Sequence, residues 1–150
     1  MKLNLIFLLG LSVCCAQALA QDATITNLKD MPEVKANATT FTGNAYVKNL
    51  FDASALGHCY AALVRFEPGA RTYYHSHPRG QVLIVTAGEG YVQNKDGTLQ
   101  HIVQGDVVIC PNDTFHFHGA TADSPMTHLA ISEVEPGRKV TWAEEVKEIK

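Results

Sequence analysis

The chain has 150 residues and a formal charge of −3, and 46% of its residues are hydrophobic, enough apolar material for one compact core. Beyond position 20 every one of the 15 Asp and Glu residues remains but only 11 of the 12 Lys and Arg, Lys2 being the exception, and the basic residues are scattered. That excludes the basic stripe on which binding to nucleic acid or to an anionic membrane surface depends.

The first element in chain order is an export signal over residues 1–20. Lys2 gives the positive start, Leu3 to Val13 an apolar run, and Ala18-Leu19-Ala20 a small-x-small cleavage site. The apolar run is too short for a bilayer span and no second one follows. A lipoprotein signal through Cys14 is the weaker alternative, because Val13 stands where a small residue is wanted. The expectation is a secreted or periplasmic protein beginning at Gln21, with no membrane contact once the signal is gone.

Residues 21–40 read as a polar N-terminal arm that either adds an edge strand or packs on another subunit, and residues 41–150 as one domain. From Phe41 on, short β-branched and aromatic runs follow one another: Asn44 to Leu50, Tyr60 to Phe66, Thr72 to His77, Gln81 to Thr86, Tyr91 to Gln93, Gln100 to Val103, Val107 to Cys110, Phe115 to His118 and Met126 to Ser132. Between them Glu67-Pro68-Gly69, Gly88-Glu89-Gly90, Asn94-Lys95-Asp96-Gly97 and Gln104-Gly105-Asp106 carry turn chemistry. The pattern predicts an all-β sandwich or barrel. Helix is confined to the end, where Trp142 to Lys150 reads either as a short helix, with Thr141 as N-cap and Glu144 in the capping-box place, or as a frayed charged tail.

Two cysteines remain after the signal. Cys59 and Cys110 both lie in apolar runs, which favours buried inert thiols over a disulfide. Asn37-Ala38-Thr39 and Asn112-Asp113-Thr114 match the glycosylation sequon, which matters only in a eukaryotic secretory route.

The chemistry concentrates in the histidines. His75 and His77 alternate on one strand and so face the same way, close enough to grip one ion. Gln81 returns beside them after the turn Pro78-Arg79-Gly80, and His116 is placed to close the site from across a sandwich. Imidazole binds most divalent first-row metals and an amide oxygen suits harder ions, so the candidate metal ligands are His75, His77, Gln81 and His116. Gln81 has two readings, as a ligand or as a hydrogen-bonding neighbour of the ion. His118, two residues past His116, and His128 also face inward, as core imidazoles or as a general acid/base pair. His58 and His101 lie near turns or strand edges and are expected at the surface.

Written as spacing, Gly69, His75, His77, Gln81 and Gly88, then Gly105, Pro111, Asp113, His116 and Ala120, resemble the two motifs of the cupin superfamily over about Ala62 to Ile131. Two positions depart from the pattern: Gln81 replaces a carboxylate and Asp113 a glycine. The stretches 66–72, 75–81, 83–88 and 126–131 are similar to those of the small single-domain manganese cupins that include hydroxynitrile lyases. The resemblance implies a double-stranded β-helix, or jelly-roll barrel, in a homo-oligomer, dimer or tetramer. It also implies a divalent ion, Mn before Fe, Zn or Ni, with His118 and His128 as pocket histidines. With no negative ligand the ion would be a stronger Lewis acid toward a small hydroxy or carbonyl substrate. In that reading Ala62, Val64 and Phe66 shape the apolar side of the pocket. A metal-dependent dioxygenase and a non-catalytic small-ligand binder or sensor are the alternatives.

Overall fold

The computed structural model describes residues 22–147 and 149, so the expected export signal lies outside the described residues. Within them the β-branched runs form twelve strands: β1 (Val34–Lys35), β2 (Phe41–Thr42), β3 (Ala45–Phe51), β4 (Cys59–Phe66), β5 (Arg71–Thr72), β6 (His75–Ser76), β7 (Gln81–Asn94), β8 (Gln100–Val103), β9 (Val107–Cys110), β10 (His116–Ala120), β11 (Met126–Glu133) and β12 (Thr141–Trp142). One sheet runs β1-β3-β4-β11-β7-β9, the other β2-β5-β10-β7-β8 with β6 on β10 and β12 on β6. Every recorded pairing is antiparallel. The all-β expectation holds, and the arm contributes an edge strand, Val34 pairing with Val47.

β7 joins the two sheets. Its first half pairs with β11 and β9, its second with β8 and β10. The corner is Gly88-Glu89-Gly90, expected as a turn and found inside the continuous strand. Gly88 has φ 70°, and a Cβ there would stand 1.9 Å from the Pro125 carbonyl oxygen, while one on Gly90 would stand 2.1 Å from that of Gly119. Glycine at both places therefore allows the strand to bend sharply against its neighbours rather than to reverse.

Inward-facing residues of β4, β7 and β11 fill the space between the sheets. Phe66, Leu83, Val85 and Met126 are fully buried there, each stabilising the fold by roughly 1.5–3 kcal/mol. Cys59 and Cys110 are free thiols, one half-buried and one buried. β4 and β9 lie on either side of the central pair β11-β7, about 14 Å apart across three ladder spacings, beyond disulfide reach.

The C-terminal helix expected over Trp142 to Lys150 is not formed among the described residues. Thr141 and Trp142 are strand, and residues 143–147 run without regular structure. Their backbone groups are bound elsewhere: Ala143 N–H donates to Tyr74 O at 2.8 Å, and Glu144 O accepts from Tyr74 N–H at 3.1 Å. Tertiary pairing has overridden the local capping signal. The α-helix of the described residues is instead α1 (Ala53–Leu56), capped by the Asp52 carboxylate, which accepts from Ser54 N–H, and closed by Gly57 at φ 82°.

Candidate metal centre

β6 and β10 lie side by side with His75 opposite His116 in the ladder, so their rings meet with centroids 4.5 Å apart. The expectation that His116 closes the site from across a sandwich is thereby corrected: it sits directly opposite His75 on the paired strand of the same sheet. What comes from the facing sheet is Gln81, the first residue of β7, and His128 on β11. Alternation on β10 turns His116 and His118 to one face and Phe117 to the other, against Tyr74.

The imidazoles of His75, His116 and His118 offer nitrogen atoms that all lie within 4.8 Å of one another, and all three are buried. His77 follows the end of β6, its ring centroid 5.2 Å from that of His75 and 5.9 Å from that of His116. Gln81 Oε1 is 3.3 Å from His116 Nε2. Thus His75 and His116 stand together as expected, Gln81 touches them, and His77 borders the group while His118 enters it.

Outer contacts orient the rings. His75 Nδ1 donates to Tyr73 O at 3.0 Å and His116 Nδ1 to Thr114 O at 2.9 Å, which leaves each Nε2 with its lone pair toward the interior. Tyr60 Oη lies 3.3 Å from His77 Nδ1. His128 Nε2 and His118 Nδ1 are 3.0 Å apart. Phe66 packs on this pair, its ring centroid 5.8 Å from His118 and 5.5 Å from His128. Val64 lies opposite His128 in the ladder and Ala62 opposite Ala130, so the three residues assigned to the apolar wall share one inward face beside the histidines.

All five rings are neutral in this setting. Burial, and next the neighbouring His116, lowers His75 to about 3; burial lowers His77 and His128 to about 4 and also depresses His116 and His118. Neutral imidazole is the form that ligates metal. His77 Nε2 and His118 Nε2 are buried with no hydrogen-bond partner, a state that costs about 1–3 kcal/mol per atom unless something answers it. A divalent cation would answer His77 Nε2, and the donor set fits one, while His118 Nε2 is left as a free lone pair facing the same space. A surface cleft of about 360 Å³, lined by Gln81, Ser132 and Cys110 among others, opens at this end of the barrel.

Two participants were missed in the sequence. Tyr60 shares the inward face of β4 with Ala62 and Val64, and alternation could have found it. Trp142 stacks on His75 with centroids 4.7 Å apart, a contact made by a strand assigned to helix. His58 and His101 are at the surface, as expected. Asp113, the replacement for the motif glycine, has φ 56°, the left-handed conformation that glycine favours and Asp tolerates.

Two sheets joined through one bent strand, with a buried three-imidazole group between them, define a β-barrel with a candidate metal centre, and the Cupin domain model matches residues 62–132. The chain belongs to the cupin family. It is 46% identical over 112 residues, 75% of this chain and 86% of the other, to (R)-mandelonitrile lyase of Granulicella tundricola. Among solved structures it is similar to a cupin-like protein from Thermotoga maritima, at 36% identity and TM-score 0.75 over 82% of this chain and 92% of that one. A predicted oxalate decarboxylase from the same organism shares the fold at 18% identity, TM-score 0.68, covering 75% of this chain and 100% of that one.

Proposed function

We propose that this chain is a metal-dependent cupin lyase that splits an α-hydroxynitrile such as mandelonitrile into an aldehyde and hydrogen cyanide. The observation that carries the proposal is the buried group of His75, His116 and His118, with one further histidine, His128, bonded to His118. The 46% identity to (R)-mandelonitrile lyase supports the choice of substrate class. His75, His77, His116 and the Gln81 amide would hold the ion, with manganese the ion we favour over Fe, Zn or Ni. Such an ion supplies Lewis-acid polarisation that lowers the pKa of a substrate hydroxyl.

The protein's own residues do the proton work. With His118 Nδ1–H donating to His128 Nε2, the His118 Nε2 lone pair is free to accept the hydroxyl proton, and the resulting charge is shared across the 3.0 Å bond. The C–C bond then breaks as the carbonyl forms, and the departing cyanide takes the proton back, so that the pair ends neutral. Low histidine pKa values suit this last step, because a weakly basic ring returns its proton readily. Phe66 and Val64 present the apolar wall for the aldehyde substituent.

We further propose that the chain is exported, on the strength of the signal pattern in residues 1–20. We also propose that it works as a homo-oligomer. Val107 and Ile109, 61% and 76% exposed on β9, are the apolar surface that a second copy would cover. Benzaldehyde release from mandelonitrile tests the central reading: it should vanish on chelation and return with Mn²⁺, without oxygen consumption. Oxygen uptake coupled to turnover would instead indicate a dioxygenase, and undiminished turnover in metal-free protein would contradict the metal role.

A further inference from the structure

The C-terminal strap ends at the metal group. β12 is laid on β6 so that Trp142 opposes His75 in the ladder, which puts the two side chains on one side of the strand pair. The indole lies over the imidazole with centroids 4.7 Å apart and planes inclined by 30°, and it is 40% exposed while His75 is 2% exposed. Trp142 is therefore the layer between this ring and solvent. Phe41 supports it from the side, with a centroid distance of 6.0 Å.

The strap is held at several points beyond the ladder. Arg71 Nε and one of its terminal nitrogens donate to Val146 O at 2.9 and 2.7 Å, Val146 itself is 2% exposed, and Lys95 pairs with Glu144 at 2.7 Å. Together with the Tyr74 bonds these contacts hold the indole against the ring. A hydrogen bond from Nδ1 to Tyr73 O fixes the tautomer of His75, but a single bond leaves the ring able to tilt about it. The stacked indole removes that freedom.

We infer that Trp142 is a positioning residue for metal binding: it holds the His75 imidazole with Nε2 aimed into the group formed with His116 and His118, and so sets the affinity of the site. The inference rests on the reading of His75 as a ligand. Its physical basis is that losing a group which orients a ligating histidine typically costs about 10–100-fold in metal affinity or activity.

The chain contains a single tryptophan, so in the parent protein Mn²⁺ bound at His75 should quench indole emission as it fills the site. Metal affinity of the full-length protein, Trp142→Phe, Trp142→Leu and Trp142→Ala is measured by competition with a chromophoric chelator, with His75→Ala as control, and the thermal midpoint of each metal-free variant is recorded alongside. We expect Mn²⁺ to bind about tenfold or more weakly to the Leu and Ala variants and within about threefold of the parent to the Phe variant, whose ring can still stack. Trp142→Leu keeps apolar cover, so the comparison of Leu with Phe remains informative if Trp142→Ala does not fold. Equal affinities in Phe and Leu variants, whatever their thermal midpoints, would overturn the inference. Failure of the parent to bind Mn²⁺, or unchanged affinity in His75→Ala, would overturn instead the metal-site reading on which it stands.

Discussion

Replacing His128 by Ala separates the proton role from the metal role. His128 is fully buried, its Nε2 lies 3.0 Å from His118 Nδ1 and its ring packs on Phe66. Removal leaves His118 Nδ1 without a partner, at about 1–3 kcal/mol, and opens a ring-sized cavity costing about 2 kcal/mol or more. The metal-free variant should therefore be roughly 3–5 kcal/mol less stable by urea denaturation. His128 is not in the group of nitrogens within 4.8 Å of one another, so the variant should still bind one equivalent of Mn²⁺. Loss of a general acid/base partner lowers kcat by about 10²–10⁴-fold. Mandelonitrile turnover at saturating Mn²⁺, with bound metal measured on the same sample, checks both expectations. A kcat within about threefold of the parent at full metal occupancy would refute the assignment of proton transfer to this pair.

Further outcomes follow from other features. Three rings held near 3, 4 and 4 bind protons only after unfolding at pH values below the usual 6.5. The sign is that metal-free stability is flat above pH 6.5 and falls with acid, by about 1.4 kcal/mol per pH unit for each ring, until the folded pKa values are reached. Urea denaturation at pH 7.5 and 5.5 should show a loss of at least about 4 kcal/mol from these three rings, with His116 and His118 adding to it, and equal stability at the two pH values would contradict the buried neutral cluster. Gln81→Glu adds a negative ligand beside His116 Nε2, so Mn²⁺ affinity should rise while kcat on mandelonitrile falls, both by about tenfold or more. Asp113→Val places a β-branched residue at φ 56°, and the thermal midpoint should drop by the equivalent of about 1–3 kcal/mol.

The parts legible in the sequence are those with local signals. β8 and β9 stand at the bounds expected, and alternation placed His116 with His118 on one face of β10. Strand patterns and motif spacing bring His75 and His116 to one site, although their true relation, opposed partners in one sheet, depends on pairing that no local pattern encodes. The same limit explains the terminal strand. Thr141-Trp142 carries a helix-start signal, yet the open backbone of Tyr74 and the carbonyl of Val146, bound by Arg71, settle it as a strap. Gly88-Glu89-Gly90 shows the converse, since glycine there permits close packing within one long strand, and turn chemistry alone does not distinguish the two uses. His118 illustrates a third limit: its position gives its inward direction, but its closeness to His75 and His116 and its bond to His128 arise from the convergence of two sheets.

The most direct measurement is mandelonitrile turnover followed while Mn²⁺ is returned stepwise to metal-free protein, with bound metal determined at each step. The account expects benzaldehyde release to rise in proportion to occupancy and to level off at one ion per chain. Turnover already complete in the metal-free protein, or none at full occupancy, would contradict it.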